Sequence, residues 1–190
     1  MKKKDMISAS ILAAAETLFQ KWGIRKTTME DIAQEAGKAK SSLYYYFKDK
    51  EAVLEAVATA QAERIIRIVR EEVEKKKTAR EKLLTYVYTS FRETRRAITL
   101  YEIARGEMRA TPGVLRKVID KYHALEEEAV EEILRFGKKR KEFRIIGRHD
   151  ISDTSQAIVT IMRSLIISLF IESDDKKTID QIIALLSEGL

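Results

Sequence analysis

The sequence contains no cysteine, one proline, seven glycines and two histidines among its 190 residues. Without cysteine the chain forms no disulfide, and it has neither a thiolate nucleophile nor a zinc–cysteine site. So few helix breakers leave room for long helices, and no stretch shows the two-residue periodicity of a strand. The composition therefore predicts an all-α protein. The lack of disulfides gives no reason to expect secretion, so we expect a cytoplasmic location.

Motifs for catalysis and cofactor binding are also missing. The sequence has no phosphate-binding loop of the form G-x-x-x-x-G-K, no dinucleotide fingerprint G-x-G-x-x-G and no nucleophile elbow G-x-S-x-G. With two histidines and no cysteine, residues for acid–base or covalent catalysis are scarce. We therefore predict that the protein is not an enzyme, with no catalytic residues, no metal site and no cofactor.

Positive charge is concentrated near the N-terminus. Residues 1–50 carry ten Lys and Arg against six Asp and Glu, whereas residues 51–190 carry 26 against 24. A basic end of the chain suggests a polyanionic partner, with solubility as the plainer explanation. Lys2 to Lys4 precede an apolar run and loosely resemble a secretion signal, but Asp5 and Ser8 interrupt that pattern. We expect a solvated tail there, with an arm that reaches phosphates of a polyanionic partner as the alternative.

Apolar residues recur at helical spacing along the chain, interrupted by capping residues and glycines. Thr27 and Thr28, Ser41, Asp49 and then Ser152 or Asp153 are expected to cap helices, and the basic stretch 137–150 is expected to be a turn. We predict domains at residues 1–49 and 50–190. About nine helices are predicted, at residues 7–22, 29–36, 41–48, 50–74, 97–108, 112–136, 152–171 and 178–190, with one more that begins at Thr78 and includes Phe91.

The segment 28–50 has the pattern of a helix-turn-helix. A small apolar face on the first helix allows the second helix to cross close to it. Gly37 lies where the turn between them needs a positive φ. Leu43 and Phe47, four residues apart, would anchor the second helix. Three consecutive tyrosines point about 100° apart on a helix, so at least one is exposed. The residues in this argument are Ile32, Ala33 and Ala36 on the first helix and Ser42, Tyr44, Tyr45 and Lys48 on the second.

Residues 11–54 resemble the DNA-binding domain of the TetR family of transcriptional regulators. The shared pattern includes an apolar first helix ending near Phe19 and Gly23, followed by Ile32-Ala33 and Ala36-Gly37. Its most specific part is the run Leu43 to Phe47, with Lys50-Glu51 and Leu54 after it. The resemblance implies a helical effector-binding and dimerisation domain after residue 50.

The resemblance also implies roles for individual residues. Thr28 would donate to a DNA phosphate, and Lys50 would bind backbone phosphate. Residues near the start of the second helix would meet bases and phosphates, while tyrosine ring edges would contact thymine methyls. We expect Tyr46 to be partly buried support. The predicted DNA-binding residues are Thr28, Lys40, Ser41, Ser42, Tyr44, Tyr45 and Lys50.

The C-terminal part is expected to form a homodimer. Residues 157–171 include eleven apolar residues in fifteen, distributed all round the helix, so more than one face must be covered. The run is too short to span a bilayer and contains Arg163, so we expect no membrane partner. The resemblance implies a four-helix interface built from residues 152–171 and 178–190 of both copies, with one large core as the alternative. Two recognition helices then read a palindromic double-stranded DNA operator.

An effector pocket is implied among the helices of residues 78–171. Its aromatic and methionine residues suggest an apolar small molecule, although ordinary core packing explains each residue taken alone. His123, Glu126 and Glu127 have a spacing compatible with metal binding, but we expect a solvated charged face. The candidate effector-binding residues are Tyr86, Phe91, Tyr101, Met108, Tyr122, His123 and Met162.

These features predict a transcription repressor that binds its operator as a dimer and is released by a small-molecule effector. Two alternatives remain open from the sequence. The protein could activate transcription without effector-released repression. It could also be a helical interaction module whose helix-turn-helix no longer binds DNA.

Overall fold

A computed structural model describes residues 3–97, 112–143 and 150–172, with side chains for residues 5–97, 118–143 and 150–165. This part of the chain is helical and contains no strand. The two helices predicted at residues 97–108 and 178–190 lie outside it, so the predicted count of about nine is tested only for the other seven. The helices are α1 (Lys3–Trp22), α2 (Met29–Glu35), α3 (Lys40–Tyr46), α4 (Lys50–Glu74), α5 (Ala79–Arg96), α6 (Pro112–Arg140) and α7 (Ile151–Glu172).

The chain divides into two compact units. Among the described residues, the first comprises those up to Gln61 together with residues 112–118, and the second comprises residues 62–97, 119–143 and 150–172. The first unit therefore includes α1 to α3 and the beginning of α4. None of the described helices is long and apolar enough to cross a membrane.

The first unit has a core drawn from all of its helices. α1 packs on α2, and α2 packs on α3. Helices as short as α2 and α3 are not stable alone in water, so this packing is what holds them. Their apolar residues at helical spacing supply the shared core, whose fully or nearly fully buried members include Ile11, Ala15, Leu18, Phe19, Ile32, Ala33, Leu43, Val53 and Val57.

Local signals set the ends of the short helices. Gly23 follows α1 with φ of 79°, and Gly37 follows α2 with φ of 62°, the left-handed conformation that glycine adopts without steric cost. Thr28 caps α2, as predicted, in a reciprocal pair of hydrogen bonds with Asp31. The cap predicted for α3 was wrong. The N-cap is Ala39, which has no side-chain hydrogen bond, and Ser41 lies inside the helix.

In the second unit, buried residues from four helices form a separate core that includes Val69, Tyr86, Val130, Leu134 and Val159. Thr78 begins α5 with the same reciprocal cap, formed here with Glu81. The predicted start of α7 at Ser152 or Asp153 was wrong by one or two residues. The helix begins at Ile151, and the Asp150 carboxylate accepts from the Ser152 backbone N–H at 2.7 Å.

Gly137 is a glycine whose role differs from the predicted one. The sequence suggests that it ends a helix and opens a turn, but α6 continues through it to Arg140. A Cβ at this position would overlap the Phe143 ring and lie 2.8 Å from the Ala79 Cβ. The glycine is therefore explained by close packing. The left-handed residue after the helix is Lys141, with φ of 58°.

Candidate nucleic-acid interface and a buried polar cluster

α3 is fixed to the core of the first unit by one side of the helix. Leu43 has 0% of its surface exposed, and the half-buried Tyr46 and Phe47 pack against the same core. The prediction that Tyr46 is partly buried support is confirmed. The opposite side of this short helix is therefore held in a fixed orientation towards solvent.

That opposite side exposes two aromatic rings. Tyr44 is 44% exposed and Tyr45 is 73% exposed, as the spacing of three tyrosines requires. The Tyr45 ring stands edge-to-face on Tyr46, with ring centroids 5.2 Å apart, which restrains it without burying it. Ser41 is exposed and Ser42 is half-buried at the start of the helix. Exposed tyrosines beside hydroxyls offer both apolar ring edges and hydrogen-bonding groups to a partner.

Lys40, at the first position of α3, connects that helix to α2. Its ammonium pairs with the Glu30 carboxylate, and it lies 5.9 Å from the centre of the Tyr44 ring. The ion pair lowers the pKa of Glu30 and raises the pKa of Lys40. Both side chains remain more than half exposed. Because exposed ion pairs contribute little to stability, the ammonium can exchange Glu30 for another anion at small cost.

Thr28 has an internal role in addition to the phosphate contact predicted for it. Its hydroxyl donates to the Asp31 carboxylate at 2.7 Å and accepts from the Asp31 backbone N–H at 3.1 Å. These bonds lower the pKa of Asp31. The hydroxyl hydrogen is therefore already used, and a phosphate would compete with Asp31 for it. The phosphate contact stays a prediction.

Lys50 also has an internal role that the sequence did not indicate. Its ammonium donates to the carbonyl oxygens of Ile24, Arg25 and Thr27 at 2.8, 3.3 and 2.9 Å. Three carbonyls use all three ammonium hydrogens and tie the start of α4 to the loop between α1 and α2. A phosphate contact of Lys50 would have to replace one of these bonds, and that contact also remains a prediction.

The predicted effector-binding residues lie in different settings. Tyr86, Phe91 and Met162 are buried in the second unit. Tyr122 and His123 are half-buried on α6, and the His123 ring nitrogen Nδ1 lies 2.9 Å from an Arg163 guanidinium nitrogen. Tyr101 and Met108 lie outside the described residues. The described part of the chain contains no group of three or more His, Cys, Asp or Glu placed to hold a metal ion.

Glu126 corrects the prediction of a solvated acidic face. Only 1% of its surface is exposed, so this carboxyl group lies in the interior of the second unit. The position of Glu126 on the helix indicates this burial. Tyr122 precedes it by four residues, and Val130 and Ile133 follow by four and seven, which places Glu126 on the inward-facing stripe of α6.

Glu126 belongs to a group of buried polar side chains, which we name the hydroxyl cluster. Its members are Tyr86, Ser90 and Thr94, spaced four residues apart on α5, with Tyr122 and Glu126 on α6. The Tyr86, Ser90, Thr94 and Tyr122 hydroxyl oxygens and Glu126 Oε2 are buried, and they interact with one another, Tyr86 with Ser90 and Tyr122 with both Thr94 and Glu126. Hydrogen bonds within the cluster thus replace part of the water that these groups lose on burial.

Burial controls the charge of this cluster. It raises the pKa of Glu126 to about 8, although the charge of Arg163 acts in the opposite direction. Burial, with the neighbouring Glu126 carboxyl adding to it, also raises the pKa of Tyr86 and Tyr122. Desolvation and the Arg163 charge lower the pKa of His123 to about 4. At neutral pH the Glu126 carboxyl is mostly protonated and His123 is neutral.

A cavity of about 240 Å³ adjoins Tyr86. Four of its ten lining residues are charged, namely Arg70, Glu74, Lys82 and Glu132, and the Lys82 ammonium donates to the Val73 carbonyl at 3.1 Å. Tyr86 thus connects two features, because its ring lines the cavity and its hydroxyl belongs to the hydroxyl cluster. The apolar lining residues are Val69, Val73, Ala129, Ile133 and Phe136.

Comparison with protein families and known proteins identifies similar chains. Residues 11–57 match the model of the tetR family of bacterial regulatory proteins. The chain is 31% identical over 91 residues to the fatty acid metabolism regulator protein of Bacillus subtilis, an alignment that covers 48% of this chain and 47% of that relative. The chain thus spans about half, or less, of the length of the curated relatives it matches.

Solved structures resemble the chain over nearly all of its length. The transcriptional regulator FadR of Bacillus subtilis, solved in complex with stearoyl-CoA, is 22% identical with a TM-score of 0.74, and the match covers 96% of this chain and 98% of that one. A transcriptional regulator from Cytophaga hutchinsonii is 26% identical with a TM-score of 0.76, over 94% and 93% of the two chains. These matches show that the two-unit helical fold is a known one.

Proposed function

We propose that the chain is a DNA-binding transcription regulator of the TetR type, because residues 11–57 match the model of the tetR family of bacterial regulatory proteins. One observation carries the proposal. α3 presents Tyr44 and Tyr45 to solvent from a helix that Leu43 fixes to the core. A rigid helix with exposed aromatic and polar residues fits the major groove, where ring edges contact thymine methyls and polar groups contact base edges.

The phosphate contacts belong to the residues around that face. Lys40 exchanges its exposed partner Glu30 for a phosphate, and Ser41 and Ser42 bind at the start of α3. Thr28 and Lys50 reach the backbone from positions where each now makes internal bonds. These contacts fix the position of the protein on the duplex, while Tyr44 and Tyr45 select the sequence.

The regulator acts as a homodimer. One recognition helix reads few base pairs, and two of them about one helical turn apart (roughly 34–36 Å) read a palindrome. An exposed apolar face on α7 supports this. Ile161 is 57% exposed and Ala157 is also exposed, although Val159 and Met162 on the same helix are buried. In the proposed dimer, residues 152–171 and 178–190 of both copies cover this face.

A small molecule with an apolar part controls the regulator and releases it from its operator. The cavity beside Tyr86 supports this, and so does the similar Bacillus subtilis regulator, whose structure contains stearoyl-CoA. The effector favours a conformation of the dimer with a different spacing of recognition helices, which lowers affinity for the operator. α4 contributes residues to both units, and it is the helix that we propose transmits the change from one unit to the other.

Operator binding should depend steeply on salt. Phosphate contacts release counterions, so a dimer making about six of them loses about 1,000-fold in affinity between 50 and 200 mM salt. Fluorescence anisotropy with a duplex that the purified protein has selected from a random pool measures this slope. A scrambled duplex of equal length is the control. Affinity that barely changes with salt would contradict the proposed phosphate contacts.

A further inference from the structure

We propose that the second unit carries a further surface for double-stranded DNA, which binds the phosphate backbone of a second duplex without reading its sequence. Exposed basic side chains from two segments of the chain form this surface, which we name the basic patch. The inference goes beyond the proposed function, because no residue of α3 takes part in it. The members of the basic patch are Lys75, Lys76, Lys77 and Arg80 around the start of α5, and Lys138, Lys139, Arg140 and Lys141 at the end of α6.

The fold of the second unit brings the two basic segments together. Gly137 packs so closely on Ala79 that a Cβ on the glycine would lie 2.8 Å from the Ala79 Cβ. The Glu142 carboxylate accepts from the Ala79 backbone N–H at 2.5 Å, across 63 residues of sequence. Its other oxygen accepts from Arg140 Nε at 2.6 Å. Glu142 therefore holds the end of α6 against the start of α5.

Positive charge in the basic patch exceeds the negative charge around it. Lys75 pairs with Glu72 at 2.6 Å. Arg140 pairs with Glu142, and the nearby Glu81 carboxylate is used in the cap of α5. Like charges gathered on one surface repel one another, so this excess does not serve the stability of the fold. The exposed cations that form no ion pair among the described residues are Lys76, Lys77, Arg80, Lys138, Lys139 and Lys141.

Helix dipoles explain only part of the basic patch. Lys138, Lys139 and Arg140 lie in the last turn of α6, where the dipole favours a cation. Lys77 and Arg80 lie at the opposite end of a helix, the start of α5, where the dipole disfavours a cation. An anionic partner accounts for both groups of side chains.

The residue types of the basic patch favour duplex DNA among anionic partners. None of the large apolar side chains that are exposed in the described part of the chain lies in it. Single strands are bound by stacking on aromatic rings, membrane-surface helices insert apolar residues, and protein interfaces are poor in lysine. Six of the eight members are lysines, which bind phosphate as point charges without the bidentate contacts that read bases. The phosphate backbone of a duplex fits this composition.

Sedimentation of the full-length protein saturated with the unlabelled selected duplex tests the proposal, with a fluorescently labelled scrambled duplex as the probe. Because the selected duplex occupies α3, we expect the probe to enter a complex that contains both duplexes. With about four phosphate contacts, affinity for the probe should fall about 100-fold between 50 and 200 mM salt. A probe that does not enter the operator complex at about 50 mM salt would overturn the proposal.

Neutral variants locate the surface. The triple variant Lys138→Gln, Lys139→Gln, Lys141→Gln should weaken probe binding at least about 10-fold and lower its salt slope by about 3. Its affinity for the selected duplex should be unchanged. Equal probe binding by this variant and the parent protein would refute the assignment.

The matched control removes the same charge from the second unit outside the basic patch. Arg64→Gln, Arg67→Gln, Lys121→Gln changes three exposed cations of α4 and α6. Probe binding and its salt slope should stay at the parent values. A loss equal to that of the patch variant would show that total charge, and not the basic patch, holds the probe.

Competitors decide the class of partner. An unlabelled scrambled duplex, phosphatidylglycerol vesicles and polyglutamate are compared at equal concentrations of negative charge, and the duplex should displace the probe best. Stronger displacement by vesicles or by polyglutamate would overturn the proposal in favour of a membrane or an acidic protein. Absence of probe binding with intact operator selection rejects this inference alone. A protein that selects no operator but binds the scrambled duplex through the basic patch supports it and rejects the proposed function.

Discussion

Replacing Tyr44 and Tyr45 together by alanine is expected to abolish operator binding and leave the fold intact. Both rings are exposed, at 44% and 73%, so their removal costs the core little. Each contact of this kind contributes about 1–3 kcal/mol to recognition, and a dimer loses both rings at two half-sites. Affinity for the selected duplex should fall at least about 100-fold by fluorescence anisotropy, with the dimer still present by sedimentation.

Tyr88→Ala is the matched control for this experiment. It removes a tyrosine of similar exposure from α5, in the second unit, and should leave operator affinity unchanged. Retention of full operator affinity by the Tyr44→Ala, Tyr45→Ala protein would show that α3 does not read DNA through these rings.

Leu43→Ala should have the opposite effect. It should lower the stability of the first unit, and any loss of DNA binding should follow from that loss of stability. Leu43 has 0% exposure and is the buried anchor of α3, so truncation leaves a cavity at the centre of the first unit. We expect the free energy of unfolding of this unit to fall by about 2–4 kcal/mol. The one tryptophan of the chain, Trp22 at the end of α1, lies in the same unit and reports its denaturation by fluorescence.

A conservative substitution at Leu43 distinguishes packing in the core from a direct contact with DNA. Leu43→Met keeps the volume and should cost less than about 1.5 kcal/mol, with operator affinity close to that of the parent protein. Equal stability of the Leu43→Ala and parent proteins would contradict the assignment of Leu43 as the anchor of the recognition helix.

Local signals made the first unit predictable from sequence. The Thr28 cap and the Gly23 and Gly37 stops depend only on nearby backbone geometry, so the residue types alone predicted them. The exposure of tyrosines on α3 followed from helical geometry, because one side of the helix must face the core. Ser41 failed as a predicted cap because a serine at that position fits either the cap or the first turn.

Tertiary packing determined what the sequence could not show. Gly137 resembles a helix stop, but its neighbours Phe143 and Ala79 explain it, and only the folded structure brings them together. Lys50 is separated by more than twenty residues from the carbonyls that it binds. Glu126 stands in a run of three glutamates, and which of them turns inward depends on how α6 rotates against α5.

The buried residues of the second unit were predictable only in part. The sequence suggested Tyr86, Tyr122 and Met162 from their residue types, and the structure places Tyr86 and Met162 in the interior and Tyr122 half-buried beside it. The sequence did not indicate the burial of Ser90, Thr94 and Glu126, since small hydroxyls and a glutamate on a helix normally face water. Their spacing of four residues from the tyrosines was the available signal.

The central claim is that two copies of α3 read neighbouring turns of one duplex. Selection of duplexes from a random pool by the purified full-length protein, followed by sequencing, tests it most directly. The account predicts an enriched inverted repeat whose half-sites have centres about one helical turn apart, roughly 34–36 Å. A selected pool without any enriched repeat, or one enriched in a single asymmetric half-site, would contradict it.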